Sequence, residues 1–94
     1  MTGVIVAGDF NTNPDQEAFA REKTLQAFVS AGFTNPVGAL PYAARITHPG
    51  KGKYPDATFD YIFAKRLKAI GPPEILKARA SDHFPVTVEF RTPP

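Results

Sequence analysis

Apolar residues come in short bursts along this chain, each closed by a polar or proline-containing segment. The first burst, Val4-Ile5-Val6-Ala7, is apolar at successive positions and rich in β-branched side chains. Such a run predicts a central strand, buried on both faces between layers. It stops at Gly8-Asp9-Phe10-Asn11, where polarity rises sharply. Asn13 then suits a helix N-cap, Pro14 the first helical position, and Asp15 and Glu17 the positive end of the helix dipole. Gln16 stands at capping-box spacing from Asn13. Ala18, Leu25, Phe28 and Val29 recur at helical spacing, and Gly32 sits where a left-handed residue ends a helix. The pattern predicts one amphipathic helix from about Pro14 to Ala31.

From Thr34 to Ala57 the periodicity disappears, and four prolines and three glycines mark a long connection. Structured connections of this length in compact domains are often functional. Alternation returns at Thr58 to Phe63, with Phe59, Tyr61 and Phe63 on one face and Thr58, Asp60 and Ile62 on the other. A basic stretch from Lys65 to Lys68 and the break Gly71-Pro72-Pro73 follow, then Ile75 and Leu76 as a short strand. Val86, Val88 and Phe90 alternate with Thr87, Glu89 and Arg91, which predicts a last strand with one face in solvent. The order strand, helix, loop, strand, short strand, strand describes an α/β (α+β) unit.

Composition narrows the chemistry. Ninety-four residues fit one small domain or a piece of a larger one. The absence of cysteine excludes disulfides, thiolate metal sites and cysteine nucleophiles, and it leaves the compartment open. No apolar run approaches the length of a transmembrane segment, and no signal pattern follows Met1. The net charge is +2, with Lys51, Lys53, Lys65, Arg66, Lys68, Lys77 and Arg79 in the second half. That bias favours an anionic partner, although a solvated surface accounts for the same charges.

Three polar clusters end otherwise apolar strands: Asp9 with Asn11, Asp60, and Asp82 with His83. Carboxylates beside buried strands are expected only where they are paired or bound to metal. If the chain stays extended, Asp9 and Asn11 project to the same side and can hold a phosphate and a hard cation together; the plain alternative is a turn leading into the helix. His83 follows Ser81-Asp82 and precedes Phe84-Pro85, whose proline constrains the approach. Its imidazole suits acid–base work or a hydrogen bond to a phosphoryl oxygen, against the alternative of a capped turn with a surface histidine. Asp60 suits orientation of an imidazole, or a salt bridge to a nearby basic side chain. His48 reads as an exposed loop residue, and Lys51 and Lys53 as loop lysines able to touch a substrate phosphate.

Three motifs in one order, Val4-Ile5-Val6-Ala7-Gly8-Asp9-Phe10-Asn11, Phe59-Asp60-Tyr61-Ile62-Phe63 and Ser81-Asp82-His83-Phe84-Pro85-Val86, strongly resemble the endonuclease/exonuclease/phosphatase superfamily. That superfamily includes exonuclease III-like repair enzymes, pancreatic deoxyribonuclease, neutral sphingomyelinases and inositol polyphosphate 5-phosphatases, and the likeness runs from Gly3 to about Phe90. The resemblance implies metal-dependent hydrolysis of a phosphodiester or phosphate ester in nucleic acid, phospholipid or inositol phosphate. It implies that Asp9 orients or deprotonates the attacking water, that Asn11 binds the scissile phosphate, and that Asp60 pairs with His83. His83 would stabilise charge on the phosphoryl oxygens or protonate the leaving group, and Asp82, with Asp9, would serve a Mg²⁺ or Mn²⁺ site. Family members also have an N-terminal half that supplies an asparagine and a metal-binding glutamate. Residues 1–94 are therefore expected to be the C-terminal half of a DNase I-like four-layered α/β/β/α sandwich, weakly active or inactive alone. The competing expectation is a non-catalytic half-domain that associates with another chain or with itself.

Overall fold

The computed structural model describes residues 3–12, 23–52, 55–78 and 81–92. Its elements run β1 (Val4–Asp9), α1 (Thr24–Ser30), a 3₁₀ turn (Tyr42–Ala44), β2 (Asp60–Lys65), β3 (Lys68–Ala69), β4 (Glu74–Ile75), β5 (Val86–Thr87) and β6 (Phe90–Arg91). They form three two-stranded antiparallel sheets, β1–β2, β3–β6 and β4–β5, so the chain is α+β. No helix among the described residues is long and apolar enough to cross a membrane.

β2 is the centre of the fold, and it runs from Asp60 to Lys65 where alternation predicted Thr58 to Phe63. One edge pairs with β1 in the register Val6↔Phe63, Gly8↔Tyr61 and Asp9↔Asp60. The other edge takes a bridge from Thr34, whose amide donates to the Ala64 carbonyl at 2.7 Å. With both edges occupied, β2 buries Tyr61, Phe63 and Ala64. β1 has β2 as its one hydrogen-bonded strand neighbour among the described residues, and Val4 and Ile5 are 40% and 52% exposed. The strand expected to be central is thus an edge strand among the described residues, because β2 is its one hydrogen-bonded neighbour.

The core sits on the β2 face that carries Tyr61 and Phe63, with Val37 beside them and Val6, Phe10, Leu25, Phe28 and Phe33 packed around. Phe28 stacks on Phe63 at 4.5 Å between ring centroids, and Phe10 meets Phe28 and Phe63 edge-on at 5.5 and 5.3 Å. Leu25 and Phe28 therefore define the buried side of α1, while Val29 is exposed. The predicted start of the helix, from Asn13 through Ala18, lies outside the described residues. Its end is built as expected: the Gly32 amide donates to Val29 and the Phe33 amide to Phe28, the paired bonds of a Schellman cap. Gly32 holds φ +93°, which an L side chain adopts only under strain, and Phe33 closes the cap on Phe28 with rings 5.5 Å apart.

The single last strand predicted for Val86 to Arg91 is divided. Val86–Thr87 pairs with β4 and Phe90–Arg91 with β3, so the chain changes partner across Val88 and Glu89. Alternation was intact in the sequence; which neighbour each half meets is decided by the turns around Arg66 and Gly71, both at positive φ.

Candidate active site

The β1–β2 register sets two carboxylates directly opposite each other, Asp9 at the end of one strand and Asp60 at the start of the next. Like charges in a cross-strand pair are destabilising unless a group of opposite charge compensates them. His83 approaches both. Its Nδ1 is 2.6 Å from Asp60 Oδ2, and its Nε2 is 3.8 Å from Asp9 Oδ2. The three residues form a cluster whose ligand atoms lie within 4.8 Å of one another, with the imidazole 28% and Asp60 21% exposed. The hydrogen bond to Asp60 raises the His83 pKa above its ordinary value of 6.5, helped by the negative potential of Asp60, Asp9 and Asp82 and opposed by partial burial.

Each member is positioned by backbone bonds. Asp9 accepts the Asn11 amide on Oδ1 at 2.8 Å, which turns Oδ2 toward His83. Asn11 itself has φ +49°, so the chain leaves the strand there. The extended geometry that would project Asp9 and Asn11 to one side does not hold, because the Asp9 carboxylate closes a turn onto the Asn11 amide. His83 is fixed by the Ser81 hydroxyl, which accepts its amide at 3.2 Å, and by the Phe84 amide, which donates to the Thr47 carbonyl at 2.7 Å. The Ser81 hydroxyl also donates to Asp82 Oδ1 at 3.2 Å, and Asp82 itself is 81% exposed.

Two residues of the long connection belong to this site and stand out only in three dimensions. Thr47 is fully buried, and its Oγ1 accepts the amides of Phe59 at 3.0 Å and Asp60 at 3.2 Å. It therefore ties the start of β2 to the His83 segment. His48 is half-buried rather than exposed. It bridges Ala57, its ring meets that of His83 at 4.8 Å, and its Nε2 is 3.9 Å from Asp82 Oδ2. Nothing periodic in the sequence marks either residue. Lys51 lines an open cleft of about 610 Å³ with His48, Pro49, Gly50, Ser81, Asp82 and Phe84, whereas Lys53 and Arg79 lie outside the described residues.

The endonuclease/exonuclease/phosphatase family pattern matches residues 2–83 of this chain. The chain belongs to the endonuclease/exonuclease/phosphatase family. Its members are generally hydrolases that act on phosphodiesters with divalent metals. No curated protein and no solved structure matches the chain. Within this family member the sequence-predicted Asp9, Asp60 and Asp82, joined by the unpredicted His48, gather around His83 in two groups, Asp9–Asp60–His83 and His48–Asp82–His83, the ligand atoms of each lying within 4.8 Å of one another. Asp9 and Asp82 are exposed carboxylates of the kind a hard divalent cation takes, although they fall in different groups, while Asp60 is engaged by the imidazole.

Proposed function

We propose that the complete domain hydrolyses a phosphodiester, or a phosphate ester, with His83 as its central group. The observation that carries this reading is the Asp60–His83–Asp9 cluster, with Asp60 2.6 Å from Nδ1 of the imidazole and Asp9 3.8 Å from Nε2. Asp60 holds Nδ1 and favours the protonated ring, so Nε2 presents a proton where charge develops on a phosphoryl oxygen or a leaving group. Asp9 Oδ2, open beside it, orients the attacking water and accepts its proton. Asn11, at the turn following Asp9, contacts the scissile phosphate. Asp9 and Asp82 would hold a Mg²⁺ or Mn²⁺ ion, and such a cation, when bound, offsets the negative charge of the phosphoryl group. Nucleic acid, phospholipid and inositol phosphate all present that group; a nucleic-acid substrate predicts binding that weakens steeply with salt.

The same reading treats residues 1–94 as the C-terminal half of a DNase I-like four-layered sandwich. Its support is β1, an apolar strand with exposed Val4 and Ile5 and one edge unpaired among the described residues, which suits coverage by a further layer. A second reading rests on that same surface: a non-catalytic half-domain that uses β1 to associate with another chain or with itself.

Hydrolysis of a generic phosphodiester in Mg²⁺, by the purified chain and by the chain joined to its covering layer, tests both. We expect weak or no turnover from the chain alone and clear turnover from the covered form. The His83→Ala variant should then lose roughly 10²–10⁴-fold, the usual worth of a positioned proton donor. Equal rates with and without the His83 imidazole would remove it from the chemistry, and robust turnover by the chain alone would end the half-domain reading.

A further inference from the structure

The chain has two histidines and no cysteine, and the fold brings both histidines together although 34 residues separate them in sequence. Their ring centroids are 4.8 Å apart at an interplanar angle of 68°. Asp82 completes the group, with Oδ2 3.9 Å from His48 Nε2, and the ligand atoms of His48, Asp82 and His83 all lie within 4.8 Å of one another. We propose that these three side chains form a site for a borderline transition-metal cation of the Zn²⁺ class, which shares Asp82 with the oxygen-rich centre proposed above and differs from it by two imidazoles.

The chemistry selects the ion. Two imidazoles with one carboxylate suit Zn²⁺, Co²⁺ or Ni²⁺, whereas Mg²⁺ takes oxygen ligands and keeps much of its water. Each ligand is also held in place by a neighbour. Asp60 holds His83 Nδ1 at 2.6 Å, which leaves Nε2 as the donor, and a carboxylate behind a ligating histidine is the arrangement that orients the ring and raises its basicity. The His48 backbone exchanges bonds with Ala57, with both N···O distances 3.0 Å, and its ring lies 5.5 Å from that of Phe59. Ser81 occupies Asp82 Oδ1 at 3.2 Å, which turns Oδ2 toward His48. The adjoining cleft of about 610 Å³ gives the ion an entry path and room for water in the remaining positions.

Ligand atoms around tetrahedral zinc stand roughly 3.3 Å apart, given metal–nitrogen bonds of about 2.0–2.1 Å. Closing from the present separations takes side-chain rotation by Asp82, which is 81% exposed, and by His48, which is carried on the long connection. Zinc on Nε2 removes the position that His83 would present to a phosphate. That consequence rests on the proposed hydrolysis; metal binding itself does not.

Calorimetric titration of the chelator-stripped chain with Zn²⁺, in excess Mg²⁺, tests the site without any substrate. One Zn²⁺ per chain is expected, with affinity reduced about tenfold or more in His48→Gln and in Asp82→Asn. No binding, or binding unchanged by His48→Gln, overturns the proposal. Should a variant fail to fold, Co²⁺ on the unmodified chain decides the matter by NMR. Paramagnetically shifted signals from both imidazoles support the site, and shifts on one histidine or neither overturn it.

Discussion

His83 is held beside two carboxylates that the β-ladder places face to face, and a protonated ring relieves a repulsion that the register creates. This linkage has a defined sign. Because the folded-state pKa is raised above the ordinary 6.5, the proton binds the folded form more tightly. The resulting stability is fully present below the unfolded-state pKa and is lost as pH rises through the raised folded-state value. The Tm, measured in chelator, should therefore fall across that window in the native chain and fall less in Asp60→Asn. The His83 ring-proton NMR titration should also move to lower pH in that variant, because the first cause of the shift, the hydrogen bond from Nδ1, loses its charged acceptor. An unmoved titration would mean that Asp60 does not set the charge of the ring.

At the scale of elements, the long connection does more than join α1 to β2. Thr47 accepts two successive amides with one hydroxyl oxygen and a third amide, that of Phe84, with its carbonyl. A buried amide left without its acceptor costs about 1–3 kcal/mol. Thr47→Val keeps the volume but removes the hydroxyl. It should destabilise the chain by about that amount in urea unfolding and speed hydrogen exchange at the Phe59 and Asp60 amides. Thr47→Ser, which retains the oxygen, should recover most of the loss; equal destabilisation by Ser and Val would point to packing of the methyl group instead.

Across the whole molecule, the fully buried apolar set among the described residues is small: Val37, Ala57, Tyr61, Phe63 and Ala64. The accessible surface is 6412 Å² for 10.2 kDa, against roughly 5,300 Å² from the size scaling of compact monomers. A fold with so narrow a core depends on each large side chain within it. Phe63 touches Phe10, Phe28 and Tyr61, so Phe63→Ala should remove about 3–5 kcal/mol, comparable to the whole stability of a marginal domain. A flat thermal scan, without a cooperative transition, is the expected result for that variant. A retained transition near the native Tm would show that the aromatic cluster is not what holds the sheet to α1.

The sequence by itself determined the family, through three motifs in order, and it determined the local rules that depend on near neighbours. The β-branched run of β1, the alternation through Tyr61 and Phe63, and the glycine that ends α1 were legible because side-chain period and φ preference act within a few residues. Asp9, Asp60, Asp82 and His83 were legible as chemistry, since charged groups at strand ends need a reason. Tertiary structure alone decided which of them meet. Register, a property of two strands, sets Asp9 opposite Asp60, and a carbonyl in a distant loop fixes the segment that delivers His83 beside them. It also made β1 an edge strand, divided the last strand between two partners, and brought His48 from the surface expected of a loop to the side of His83. These are long-range pairings, and no period or cap within a single segment encodes them.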